Sequence, residues 1–380
     1  MSWNHIIGHK RVKKIIQRSF LEERIAGAYC FWGIDGIGKE AVAIEFAKLL
    51  NCSNPIRNEQ KINACDECSN CKKISTLTHP NLQLIFSLPA GKGTDSKGDS
   101  PYSKLSDEQI TEIQNEIQTK AKDHYYKINI QNANQIKIAS IRELKRKLTL
   151  SAQTDGRTVI IIFNAEELTG ESANAFLKTL EEPQDNVTII LVTSRHETII
   201  PTILSRCQQI KFEPLDNQSI EEALISRNKL GQEEARLISA FAQGSYHKAT
   251  EYLDEDMKQL RFDIVDLLRS CLKRNFRVEL INKIDTFLKN KDKRRIEYSL
   301  NLLLLWLRDV YTVRSLNNTE NIINIDQVST ISKFTNAYLN ADIENSVNVI
   351  EKTISGLRHN ALIQLSLINL FINLREYIMR

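Results

Sequence analysis

Gly33-Ile34-Asp35-Gly36-Ile37-Gly38-Lys39 has the spacing of a phosphate loop: glycine, four residues, glycine, lysine. Glycines in left-handed conformations let backbone N–H groups converge on one anion. A helix opening at the lysine adds the positive end of its dipole, and Lys39 can reach terminal phosphates. The next position calls for Ser or Thr, whose hydroxyl ligates magnesium in nucleotide hydrolases. Glu40 stands there instead. The other half of a hydrolytic site is an acidic pair closing a buried strand. Phe163 and Asn164 occupy those places at the end of the run Thr158 to Phe163. Neither can hold hydrated magnesium or take a proton from water. We expect Gly33, Gly36, Gly38 and Lys39 to form a degenerate phosphate loop, with no hydrolysis in cis. ATP or ADP binding without hydrolysis stays open.

A second cluster follows. Cys52, Cys65, Cys68 and Cys71 place four thiols within twenty residues. Tetrahedral zinc takes four such ligands and then has no open position, so the expected role is structural. Cys30, Cys207 and Cys271 stand apart and are expected as free thiols. The odd total and the absence of a signal-peptide pattern at the start suggest a reducing, cytoplasmic setting. His79, before Pro80, is expected to cap a turn and not to replace a cysteine.

These groups need elements to hold them. Gly27 to Trp32 reads as a short apolar strand, and Glu40 to Leu50 as the helix after the loop. Thr158 to Phe163 and Val187 to Thr193 are apolar on both faces, as in buried parallel strands. Cys207 to Phe212 is a further strand candidate. Ser140 to Leu148 is predicted as a helix with Ser140 as its N-cap, and Glu171 to Glu182 as a helix stopped at Pro183. Strands alternating with helices give an α/β layer with a mainly parallel sheet. Residues 88 to 134 read as an insertion, with a polar loop at Ala90 to Ser103 and a helix at Asp107 to Lys122.

All seven prolines lie at or before Pro214, and only three glycines follow it, so the remainder is predicted to be all-helical. Three amphipathic stripes are expected there: Phe262, Val265, Asp266, Leu268 and Leu272, then Leu300, Leu303, Leu304 and Leu307, then Leu362, Leu365, Ile368 and Phe371. With 42% hydrophobic and 26% charged residues, the 380-residue chain has an ordinary globular composition. Its longest apolar run, Leu302 to Leu307, is far too short for a membrane span. A net charge of +4 permits nucleic-acid contact without arguing for it. The basic residues of Lys289 to Arg295, and Lys13, Lys14 and Arg18, read as solvated charge.

On these residues the chain resembles the delta-prime family of bacterial DNA polymerase III clamp-loader subunits, AAA+ proteins related to gamma/tau. The start Ile6-Ile7-Gly8, the loop to Lys39 and the cysteines after its helix are similar. So are Ala173 to Pro183 (ANAFLKTLEEP) and Pro201 to Cys207 (PTILSRC). The resemblance implies a RecA-like α/β AAA+ domain with an inserted zinc module (residues 1–213), a helical lid (214–255) and a helical collar (256–380). It implies a hetero-pentamer with gamma/tau and delta subunits that loads the sliding β clamp on primed DNA. In this role the chain is a non-hydrolysing stator, and Arg206 of Ser205-Arg206-Cys207 is an arginine finger toward a neighbour's ATP. Thr193 and Ser194 fall where the family carries a polar sensor residue. Ala173, Phe176, Leu177 and Leu180 read as core packing. An active gamma/tau-type ATPase is the alternative. A nucleotide kinase on the same loop fits less well, given the cysteine cluster and the long helical tail.

Overall fold

The computed structural model describes residues 3–58, 61–90, 100–151, 156–181, 185–254, 257–289, 293–316, 322–358 and 361–380. Five strands form the main sheet: β1 (Ala28–Trp32), β4 (Leu82–Ile85), β5 (Thr158–Ile162), β6 (Val187–Thr193) and β7 (Gln208–Lys211). Strands β2 (Ile56–Asn58) and β3 (Lys61–Asn63) form a separate antiparallel hairpin. The sheet order is β4-β5-β6-β1-β7, and every neighbouring pair is parallel. The mainly apolar runs fall on β5 and β6, whose residues are all buried. Each fully buried Ile or Val there contributes about 1.5–3 kcal/mol of transfer free energy. Strand β4 was not expected; its Gln83 breaks the apolar run.

The helices of this part are α1 (Lys10–Leu21), α2 (Lys39–Asn51), α3 (Ser69–Ser75), α4 (Asp107–Lys122), α5 (Ile138–Ser151), α6 (Gly170–Glu181) and α7 (Pro201–Leu204). Helix α4 has the bounds expected from sequence. Ser106 caps it: its hydroxyl accepts the Gln109 N–H, while the Gln109 side chain accepts the Ser106 N–H. Helix α5 corrects an expectation. It starts at Ile138, so Ser140 lies inside the helix and is not its N-cap. The chain is pinned just upstream, where Ile136 bridges Leu168 and donates to the Glu167 carbonyl, and the helix begins directly after that anchor. Glu182 and Pro183, the expected stop of α6, and residues 91–99 of the polar loop lie outside the described residues. Ala173, Phe176 and Leu180 are buried in the core of this sheet, with Leu177 packed at its edge.

After Pro214 the described residues are helical: α8 (Asn217–Asn228), α9 (Gln232–Phe241), α10 (Tyr246–Glu251), α11 (Met257–Cys271), α12 (Phe276–Leu288), α13 (Lys293–Leu316), α14 (Val328–Ala337), α15 (Ile343–Arg358) and α16 (Ile363–Ile378). Two compact units result. Residues 1–235 with 242–249 form one, and 236–241 with 250–380 the other. The second has its own core, built on Val265, Leu268, Ile284, Leu300, Leu303, Trp306, Leu307, Leu370 and Phe371. Two expected stripes need correction. Phe262 is 55% exposed, and Leu362 and Leu365 are 72% and 61% exposed. The inward face of α16 is Leu367, Leu370, Phe371, Leu374 and Ile378. That helix is apolar on several faces, so spacing alone could not choose between them. No described helix is long and apolar enough to cross a membrane.

Candidate functional site

The phosphate loop runs from the carboxyl end of β1 into α2, the end of a parallel sheet where ligands are usually bound. Gly38 precedes the helix at φ 98°. Lys39 is buried and turned back on its own loop. Its Nζ donates to the carbonyls of Gly33 at 2.8 Å and Ile34 at 2.6 Å, and reaches Ser194 Oγ at 3.2 Å. These three bonds engage every donor of the ammonium. Burial lowers its pKa to about 8, against the pull of Asp35 and Glu40.

The two acidic side chains of the loop are also engaged. Asp35 Oδ2 accepts from Lys127 Nζ at 2.5 Å. Burial disfavours the Asp35 carboxylate, but the Lys127 charge outweighs it and holds the carboxyl below its ordinary range. Glu40 pairs with the buried Lys120. The same ammonium donates to the carbonyls of His124 at 2.8 Å and Tyr126 at 2.5 Å, and lies 5.3 Å from the centre of the Phe163 ring. Phe163 is buried, and Asn164, at φ 48°, lines the same cavity. Two residues on, Glu166 accepts the Ser194 N–H at 3.2 Å and fixes the turn after β6.

The cysteines converge as expected. Sγ atoms of Cys52, Cys65, Cys68 and Cys71 all lie within 4.8 Å of one another. Cys52 and Cys65 are 3.5 Å apart, and Cys65 and Cys71 3.9 Å. A tetrahedron with arms of about 2.3 Å has edges of about 3.8 Å, so the set fits zinc. Backbone N–H groups of Cys65, Cys68 and Cys71 donate to the sulfurs of Cys52, Cys65 and Cys68. Such bonds favour thiolates and burial opposes them: it raises the Cys52 and Cys71 thiols. Burial raises the Cys68 thiol, but the N–H groups of Cys71 and Ser53 outweigh it and bring it to about 6. Burial pushes lone Cys30, Cys207 and Cys271 up to about 12, as suits inert thiols. His79 Nδ1 accepts the Asn81 N–H at 3.1 Å, a local cap.

Arg206 lies in the turn between α7 and β7, far along the chain from the loop. Its guanidinium donates to Glu181 Oε1 and to the Thr202 carbonyl, each at 2.9 Å, with about a third of the side chain exposed. Ser205 Oγ donates to the Thr202 carbonyl and shapes the same turn. Sequence reasoning did not find Lys120, Tyr125, Lys127 or His247 at the loop. They are 80 or more positions away from it, and no local pattern marks the pairing.

A glycine-rich phosphate loop at the end of a parallel sheet, with a four-cysteine module and an independent helical unit, defines a phosphate-loop α/β protein with a helical C-terminal region. Residues 8–216 match the family described as DNA polymerase III, delta subunit, and the chain belongs to that family. It is 25% identical to "DNA polymerase III subunit delta'" of Bacillus subtilis over 366 residues, which cover 96% of each chain. It is 27% identical to subunit tau of the same organism over 66% of this chain and 37% of that one. A DNA polymerase III gamma subunit-related protein of Thermotoga maritima, of known structure, aligns over 97% of this chain and 98% of its own with a TM-score of 0.41 and 17% identity.

Proposed function

We propose that the chain is a delta-prime-type subunit of the DNA polymerase III clamp loader, a non-hydrolysing stator that helps load the sliding β clamp on primed DNA. Its partners would be gamma/tau and delta subunits in a hetero-pentamer. The observation that carries this reading is the state of the phosphate loop. Glu40, in the magnesium-ligand position, is bound to Lys120, and Phe163 and Asn164 stand where a hydrolase needs carboxylates. Arg206 remains at the surface, held among the described residues by an exposed ion pair worth about 0–1 kcal/mol and one carbonyl. Such a pair yields readily to a phosphate, and arginine's planar, permanently charged fork suits a transferring phosphoryl group. Arg206 therefore acts in trans, on ATP held by a neighbouring subunit. Zinc at Cys52, Cys65, Cys68 and Cys71 serves the fold. The chain divides by role into an AAA+ domain (1–213), a lid (214–255) and a collar (256–380).

The test is a complex reconstituted with gamma/tau and delta partners. Arg206→Ala leaves folding, zinc content and assembly intact, lowers clamp-stimulated ATPase partially and lowers clamp loading more. Arg206→Lys recovers part of the loss. Loading at the wild-type rate by an assembled Arg206→Ala complex refutes the role in trans. The alternative, an active gamma/tau-type ATPase, is favoured by one observation, the intact run Gly33 to Lys39. Steady ATP turnover by the pure chain, abolished by Lys39→Ala, supports that alternative.

A further inference from the structure

Residues of the 88–134 insertion lie directly on the phosphate loop. Tyr125 is placed against Gly38 so closely that a Cβ on that glycine would stand 2.6 Å from Tyr125 Cε1. Its hydroxyl accepts the Ile7 N–H at 2.7 Å, and its ring packs 5.0 Å from the Tyr246 ring beneath the Arg227 guanidinium. From another side the His247 N–H donates to the Gly36 carbonyl at 3.1 Å, and a Cβ on Gly36 would collide with Ser245 Oγ. The cavity left among Asp35, Lys39, Glu40, Lys120, Tyr125 and Lys127 measures about 30 Å³. That holds about two water molecules, whereas small-molecule sites run to several hundred Å³.

The charges are matched as closely as the volume. A loop of this pattern normally offers unpaired N–H groups and a free lysine to phosphate, with a divalent cation beside them. Here Lys39 is bonded to its own loop, Lys127 neutralises Asp35, and Lys120 neutralises Glu40. Lys120 is held in turn by two carbonyls of the segment that follows α4, so its ammonium is fixed in place. His124 of that segment reaches the Ser75 carbonyl at 3.0 Å, which ties the insertion to α3 of the cysteine module.

We propose that residues 107–127 are a built-in occupant of the phosphate loop, with the Lys120 ammonium beside Glu40 taking the place of a divalent cation and Tyr125 closing the loop to nucleotide. The insertion thereby gives the non-hydrolysing chain a rigid loop that needs no ligand. This deepens the stator reading and rests on it only for the absence of turnover. It is independent of Arg206.

Two measurements on the full-length chain test it. In calorimetry with ATP and magnesium, or ADP and magnesium, the wild-type chain shows no saturable binding. In hydrogen exchange, Lys120→Met raises exchange at residues 33–40 by about tenfold or more, because removing the cation leaves Glu40 partly buried and unpaired. The pair Glu40→Gln with Lys120→Met, which removes both charges, restores much of the protection and guards against a single variant that fails to fold. Saturable ATP binding by the wild-type chain with residues 107–127 still protected overturns the proposal. So does unchanged exchange at 33–40 in a folded Lys120→Met chain. Either result leaves the Arg206 experiment untouched.

Discussion

His124 shows how a single residue couples the insertion to the pH response of the fold. Burial, with the charges of Lys120 and Lys48 adding to it, lowers its pKa to about 4 from an ordinary 6.5. Between those values the unfolded chain binds a proton that the folded chain refuses. Stability therefore rises with pH across this window; it is fully retained above about 6.5 and lost as pH falls toward 4. A shift of this size corresponds to a loss on the order of 3 kcal/mol at the acid end. His124→Gln keeps a donor for the Ser75 carbonyl but has no proton to take up. Denaturant titrations at pH 7.5 and pH 4.5 are expected to show a smaller acid loss for His124→Gln than for the wild type. Equal losses rule out His124 as the source.

At the scale of elements, the cysteine module joins α2 to α3 around the hairpin of β2 and β3. Cys52 follows α2, Cys68 caps α3 through the Cys71 N–H, and Cys71 is buried within α3. A segment this short has little apolar surface of its own, so a bound metal would supply much of its folding free energy. Cys65→Ser is expected to drop zinc well below one equivalent and to destabilise residues 52–75 by several kcal/mol, read as local proteolysis and exchange. Because the Ser75 carbonyl receives His124, the same variant loosens the insertion as well. A Cys65→Ser chain with full zinc and unchanged local exchange refutes the metal assignment.

For the whole molecule, the unit comprising 236–241 and 250–380 has its own hydrophobic core. Several large apolar side chains on it face solvent, among them Val278 at 72% and Leu339 at 66% exposed. An assembling collar is consistent with that surface. Deletion of residues 256–380 is expected to abolish co-purification with gamma/tau and delta subunits while residues 1–213 stay folded. Intact assembly of the truncated chain removes the collar assignment.

The phosphate loop, the four cysteines, the buried strands β5 and β6 and the helix α4 were all legible in the sequence. Each is written in a contiguous stretch, where glycine spacing, thiol spacing, β-branched runs or helix-forming composition act between near neighbours. The start of α5 was missed because a distant bridge between Ile136 and Leu168, not a local cap, sets it. The inward face of α16 was missed because a helix apolar on several sides takes its orientation from what packs on it. The closed state of the phosphate loop belongs to the same class. Glu40 and Lys120 are 80 positions apart, and Gly38 and Tyr125 farther still. Their pairing costs loop closure across the insertion and is set by the docking of α4 and the segment after it, which no local spacing encodes. The sequence alone thus determined that a phosphate loop exists and lacks its magnesium ligand. Only the tertiary structure decided what sits in it, because the buried Lys39 and Lys120 ammonium groups must each find partners within the chain.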